Sequence, residues 1–178
     1  RRTRTAVIVQ RLHETYPNAS AELTYASPFQ FLIAVILSAQ TTDVTVNRVT
    51  PTLFAHFPDP KSLASASQLE VEELVRQTGF FRSKARAIRE TSAQLLADFD
   101  GEVPRTMEEL LRLRGVARKT ANVVLGEAFG IASGIVVDTH VKRLAQRLGL
   151  TRAIDPVKIE RELMDLLDPK EWIFAGIA

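Results

Sequence analysis

Residues 111–124, LRLRGVARKTANVV, hold the arrangement from which the fold is read. Ala121, Val124, Leu125 and Ala128 recur at i, i+3, i+4 and i+7, the spacing of an amphipathic helix. Met107, Leu110, Leu111 and Leu113 supply an apolar face just before it, so the segment reads as helix, short turn, helix. Arg114, Arg118 and Lys119 crowd the second helix's amino end, where aligned peptide dipoles already place positive charge. A cation there is disfavoured by roughly 0.3–1 kcal/mol. At 100° per residue, Lys119 falls about half a turn from the apolar stripe, pointing away from the helix's core contact. Gly115 and Ala117 are small enough to let the turn's N–H groups approach a ligand. Open donors, a helix N-terminus and cations together make an anion site, with phosphate the natural guest. A nucleotide P-loop is excluded, because Arg118 stands where its second Gly belongs and a helix, not a strand, precedes the turn. A hairpin gripping the phosphate backbone of DNA needs only the turn and the cations. The plain alternative is an αα-turn with solvated basic residues.

Composition frames this reading. The chain has 178 residues, 46% hydrophobic and 25% charged, enough to bury a core in one domain or two small ones. Net charge is +2 and the pI near 9.2, which suits a polyanionic partner if the excess gathers on one face. With no cysteine, the chain makes no disulfide, thiolate metal site or iron–sulfur ligation of its own. The three histidines lack metal-ligand spacing, so no metal site is expected. The longest apolar run, residues 31–37, is too short to span a bilayer. RRTRT is basic but no apolar signal segment follows it. Absence of targeting signals points to a cytoplasmic protein. The first residue is not Met and the last segment, EWIFAGIA, is apolar; we read the chain as a fragment.

Helical spacing recurs along the whole chain, and strict alternation nowhere persists. Residues 3–17 form a first helix closed by Pro17. Residues 27–40 open with Ser-Pro and are apolar all round, as in a central buried helix. Residues 41–57 carry Thr/Asp start signals, with Pro51 expected to kink or break the helix. Residues 67–79 end at Gly79, and Phe81, Ala85, Ile88, Leu95, Leu96 and Phe99 mark one face of a long helix that follows. Val141, Leu144, Ala145 and Leu148 mark another, and Asp155-Pro156 starts a further one. The fold is thus expected to be all-α, with about ten helices. The segment 130–134, GIASG, is a hinge or crossing between two helical lobes.

Four blocks carry a resemblance that covers nearly the whole chain: ILSAQTTDVTVNRVTP, TGFFRSKARAI, GEVPRTMEELLRLRGVARKTANVVLGEAFG and VVDTHVKRLAQRLGL. In content, order and spacing they resemble the endonuclease III family, the helix–hairpin–helix base-excision DNA glycosylases. The family hairpin usually reads L-P-G-V-G-R-K-T-A. Here Arg114 replaces the Pro, adding a phosphate contact, and Ala117 replaces the second Gly. An Ala where φ must be positive would cost stability.

The resemblance implies a six-helix lobe over 22–132, a second lobe of 1–21 plus 133–178, and a cleft between them. It implies that Lys119 is the nucleophile, attacking C1′ of a flipped-out nucleotide, and that β-elimination then cuts the strand 3′ to the lesion. Cations and a helix N-terminus favour the neutral amine that such attack requires. Asp138 matches the catalytic Asp; its position before a periodic run also reads as a plain N-cap. Gln40 matches the residue that fills the gap left by base flipping, and Phe80 matches a wedge position. The DNA-binding set expected is Gln40, Phe80, Arg114, Gly115, Val116, Ala117, Arg118, Thr120 and Arg143. Arg82, Lys84, Arg86 and Arg89 add positive charge, explained equally by a solvated helix face. The family's [4Fe–4S] cluster needs four cysteines, expected here only if a further segment follows Ala178. The implied activity is a bifunctional glycosylase and abasic-site lyase acting as a monomer on double-stranded DNA with an oxidised base or abasic site. No membrane partner is implied; the location would be nucleoid-associated. The alternatives are a monofunctional glycosylase for another lesion and a non-catalytic DNA-binding module.

Overall fold

The computed structural model describes residues 2–20 and 22–178. Among these the regular structure is helical throughout, with eleven α-helices and no strand. Their contacts divide the chain into two compact units, 22–124 and 1–21 with 125–178.

The 22–124 unit is built on α2 (Pro28–Leu37), whose sequence explains its place. Ser27 Oγ accepts from Gln30 N at 3.2 Å and Pro28 takes the first turn, so the helix starts where an orphan donor is satisfied. Phe31, Leu32, Ile33, Ala34 and Leu37 are wholly buried, as an all-apolar circumference requires. Each large side chain removed from water contributes about 1.5–3 kcal/mol. Thr42 caps α3 (Asp43–His56), which runs through Pro51 as one assigned helix, where the sequence suggested a kink or break. Buried Val46, Val49, Thr50 and Leu53 hold it on both sides of the proline, outweighing one lost backbone bond. Helices α4 (Pro60–Ser65) and α5 (Gln68–Val75) pack on α6 (Phe81–Phe99). A 3-10 turn over Arg76–Thr78 leads from α5 into Gly79.

The α6 stripe differs from its expected form. Ala85, Ile88 and Leu95 are buried as read, joined by Lys84, Thr91 and Ser92, but Leu96 is exposed. Phe81 is only half-buried, and the guanidiniums of Arg76 and Arg82 lie 5.1 and 5.4 Å from its ring centre. Short α7 (Met107–Leu110) and long α8 (Arg118–Phe129) flank the hairpin, with Leu110 and Leu113 buried and Leu111 exposed. The division between units falls inside α8, between Val124 and Leu125.

The other unit joins α1 (Arg2–Thr15) to α9 (Thr139–Arg147), α10 (Pro156–Leu166) and α11 (Trp172–Ile177). Ile135, Ala145, Leu150, Ile159 and Leu163 form its core, with Ile8 of α1 packed against them. Long-range contacts fasten α1: Arg4 Nη1 donates to Leu148 O at 3.3 Å, the His13 ring stacks on Phe174 at 3.8 Å, and His13 Nε2 pairs with Glu171 Oε2 at 2.7 Å. Of the expected α9 face, Ala145 is buried, while Leu144 and Leu148 are exposed and line an apolar groove with Leu12 and Leu167. Periodicity marks a face as apolar without saying what covers it.

Candidate active site

The hairpin takes its shape from one glycine and one helix. Gly115 holds φ +75°, and a Cβ there would meet Ala87 at 3.4 Å and Ile36 at 3.6 Å. Those are ordinary contact distances, so it is the positive φ of the turn, rather than space, that favours glycine here. Ala117 lies outside the positive-φ region, so its methyl carries none of the strain considered for it. It begins α8 by accepting from Ala121 N at 2.9 Å. Val116 is buried, with its N–H bonded to Leu113 O at 3.3 Å. Val116 thus anchors the turn from beneath.

Arg118, Lys119 and Thr120 occupy the first turn of α8, which holds no acidic residue. Lys119 is exposed, whereas Arg118 and Thr120 are half-buried. The first N–H groups of a helix lack intrahelical acceptors and carry partial positive charge. The geometry therefore offers an anion donors, a dipole and cations together. Arg114 departs from this picture: its Nε lies 2.5 Å from Glu90 Oε2 of α6.

Sequence reading missed one neighbour of Lys119. Asp43, in the first turn of α3, has its carboxyl raised above the usual range by burial first and Glu22's charge second, with Lys119's positive field opposing both. Asn47 explains why Glu22 is near. It stands one turn beyond Asp43, and its amide donates to Glu22 O at 2.8 Å and accepts from Thr24 N at 2.8 Å. The signal was present in TTD, but it reads as a helix start, a role Thr42 and Asp43 also fill.

Gln40 and Phe80, the expected gap-filling pair, share an unusual backbone. The non-glycine residues with positive φ among those described are Gln40 at 54°, Phe80 at 46° and Asp100 at 52°. Asp100 ends α6; the other two are exposed at helix boundaries. Side chains held this way cost on the order of 1–3 kcal/mol and cluster at functional positions. Phe80 is 67% exposed, so its ring is presented outward rather than stored in a core. Lys84, read as a solvated cation, is buried instead, and its ammonium donates to Thr78 O at 2.6 Å. Burial lowers its pKa. It braces the turn that carries Phe80. Arg89 is also partly withdrawn, donating to Gln68 Oε1 at 3.0 Å.

Asp138 caps α9, with its Oδ1 accepting from Val141 N at 2.8 Å. The cap leaves the second carboxylate oxygen uncommitted to that bond and fixes the group's direction. Arg143 is exposed and its Nη2 donates to His140 Nδ1 at 3.0 Å. The chain supplies no thiolate, and no group of three His, Cys, Asp or Glu able to hold a metal occurs among the described residues. These residues do not fit the ligand set of an iron–sulfur cluster.

The described residues form a helical fold with a helix–hairpin–helix whose second helix opens on Arg118 and Lys119, the architecture of the helix–hairpin–helix class. Residues 33–169 match the HhH-GPD superfamily of base excision DNA repair proteins. The chain is 55% identical to the endonuclease III of Synechocystis sp. over 97% of this chain and 78% of that protein. It is 39% identical to the endonuclease III of Escherichia coli K12, over 93% of this chain and 77% of the other. A solved non-covalent endonuclease III–DNA complex superposes with a TM-score of 0.94 at 40% identity, covering 99% of this chain and 83% of that one. The chain belongs to the endonuclease III family within the HhH-GPD superfamily.

Proposed function

We propose that this protein is a DNA glycosylase and abasic-site lyase of base excision repair that removes oxidised pyrimidines from double-stranded DNA. The observation that carries the reading is Lys119, an exposed amine in the first turn of α8 at the end of the hairpin. A relative of the same family was solved as a trapped covalent intermediate with DNA, at 40% identity and a TM-score of 0.94. In the proposed reaction the neutral Lys119 Nζ attacks C1′ of the extruded nucleotide. The glycosidic C–N bond breaks and its electron pair leaves with the base, which takes up a proton. The sugar ring opens as Nζ and C1′ form a Schiff base. Loss of the C2′ proton then expels the 3′ phosphate, with cleavage of the C3′–O bond. Asp138 stabilises positive charge developing on the sugar and moves protons in these steps. Gly115, Ala117, Arg118 and Thr120 place backbone and side-chain donors at the phosphates, and Val116 packs beneath the turn that carries them. Arg143 adds a further cation. Gln40 and Phe80 occupy the gap in the duplex.

The working form proposed is a monomer on nucleoid DNA in the cytoplasm. No described helix is long and apolar enough to cross a membrane. An adenine-excising relative would carry a catalytic Glu near Ala34 and lack the lysine, whereas residues 28–37 hold no Glu here and Lys119 is present. Borohydride trapping on duplex containing an abasic site tests the reading. The wild-type chain gives a covalent product, and Lys119→Gln abolishes it while retaining binding. Binding without any covalent product would identify a non-catalytic module or a monofunctional enzyme instead.

A further inference from the structure

The hairpin's first arm is fastened to α6 by a stripe of polar side chains. Glu90, Thr91, Gln94 and Asp98 share one face of the helix, and apolar Ala87 begins the same face one turn earlier, giving the spacing i, i+3, i+4, i+7 and i+11. Every member meets the segment 112–115. Glu90 Oε2 takes Arg114 Nε at 2.5 Å, and Thr91 Oγ1 donates to Arg114 O at 2.5 Å. Gln94 acts twice, accepting from Arg114 N at 2.7 Å and donating to Arg112 O at 3.1 Å. Asp98 lies 3.7 Å from Arg112 Nη2, and that guanidinium sits 5.3 Å from the Phe99 ring centre. Ala87 supplies the surface against which Gly115 turns.

Arg114 is thus held at its backbone N–H, its backbone carbonyl and its guanidinium, all by α6. Glu90 takes its Nε, and the carboxylate held there would stand beside any phosphate drawn to the remaining guanidinium N–H groups and oppose it. We propose that Arg114 is a positioning residue, locking the hairpin onto α6 through Glu90, rather than a residue that contacts DNA. The lock sets the direction in which the chain enters Gly115 and hence where the amino end of α8, with Arg118 and Lys119, is presented. This inference rests on the proposed use of the hairpin to hold DNA.

The two roles predict opposite signs for one substitution. If Arg114 contacts phosphate, Glu90→Ala frees it and removes a repelling charge, so binding tightens. If Arg114 is the lock, Glu90→Ala loosens the hairpin and binding weakens. The measurement is the anisotropy of a fluorescent duplex carrying a tetrahydrofuran abasic analogue, over a salt series, on the full chain. Glu90→Ala and Arg114→Ala each weaken binding, by about two- to fivefold for a partly exposed pair, with an unchanged salt slope. The reciprocal pair Glu90→Arg with Arg114→Glu recovers most of the loss. Gln94→Ala, which alters no charge, weakens binding likewise. Hydrogen exchange at the amides of 115–118 quickens in Glu90→Ala, reporting the loosened turn even if affinity falls for other reasons. Tighter binding by Glu90→Ala overturns the proposal. So does a salt slope reduced by about 0.9 in Arg114→Ala, the signature of one lost phosphate contact. Failure of the wild-type chain to bind the duplex would overturn the DNA-holding role and this inference together. Wild-type binding with no recovery in the reciprocal pair would overturn this inference alone.

Discussion

Gly79→Ala isolates backbone strain at the turn that presents Phe80. Gly79 holds φ 70° and ψ 162°, a region that residues with a Cβ essentially avoid. An added Cβ would meet no atom within 4 Å, so the substitution introduces no clash and any loss is conformational. Such a placement costs roughly 1–3 kcal/mol. Against it stands the reduced freedom of the unfolded chain, worth about 0.4–1 kcal/mol for Gly→Ala. The net expectation is a loss of about 1–2 kcal/mol. For a protein of this size that lowers the melting temperature by about 2–8 °C. The turn has little room to relax, since Lys84 Nζ fixes Thr78 O at 2.6 Å. On its other side Lys84 N and Ser83 Oγ hold Phe80 O at 3.0 and 2.9 Å. Thermal unfolding followed by circular dichroism checks the figure. A variant melting within about 1 °C of the parent would show that the turn yields freely and that Phe80's posture is not imposed by its neighbours.

Asp138 is separable into two roles. Asn is nearly as good an N-cap, so Asp138→Asn should alter stability by less than about 1 kcal/mol while removing excision activity, and Asp138→Ala should cost about 1 kcal/mol in addition. Equal activity in the Asn variant and the parent would reduce Asp138 to a cap. Lys84 predicts a rise of stability with pH. Burial depresses its folded pKa, so between that value and its usual value near 10.5 the unfolded chain binds more protons and stability increases with pH. Urea unfolding across this window should show that rise in the parent and its loss in Lys84→Met; identical pH slopes in the two proteins would contradict it.

The sequence made those elements legible whose signals are local. Ser27-Pro28 and Asp155-Pro156 announce helix starts because an N-cap oxygen and a fixed φ act within one turn. Gly79 and Gly115 mark turns because positive φ is a property of the single residue. The hairpin cations were equally readable, being adjacent in sequence. Four features were not. Pro51 is carried inside α3 by tertiary burial that no window of sequence contains. Lys84 sits among Arg82, Arg86 and Arg89, and only the fold withdraws it from water. Leu144 and Leu148 keep helical spacing and stay exposed. The stripe of Glu90, Thr91, Gln94 and Asp98 is as periodic as any apolar face. Its partners are mainly backbone groups of another segment, so searching for hydrophobic recurrence passes over it. The Glu90 partner of Arg114 and the proximity of Asp43 to Lys119 are for the same reason invisible in the sequence.

One unit, 22–124, is contiguous in the chain, whereas the other is assembled from two distant segments. On the ribosome these units become completable in sequence. At 5–20 residues per second, His13 waits roughly 8–30 s for its partner Glu171, which is 158 residues away. During that interval α1 lacks its partners from 125–178, while the contiguous unit has every segment it needs to condense. Chaperone dependence during synthesis should therefore fall on α1.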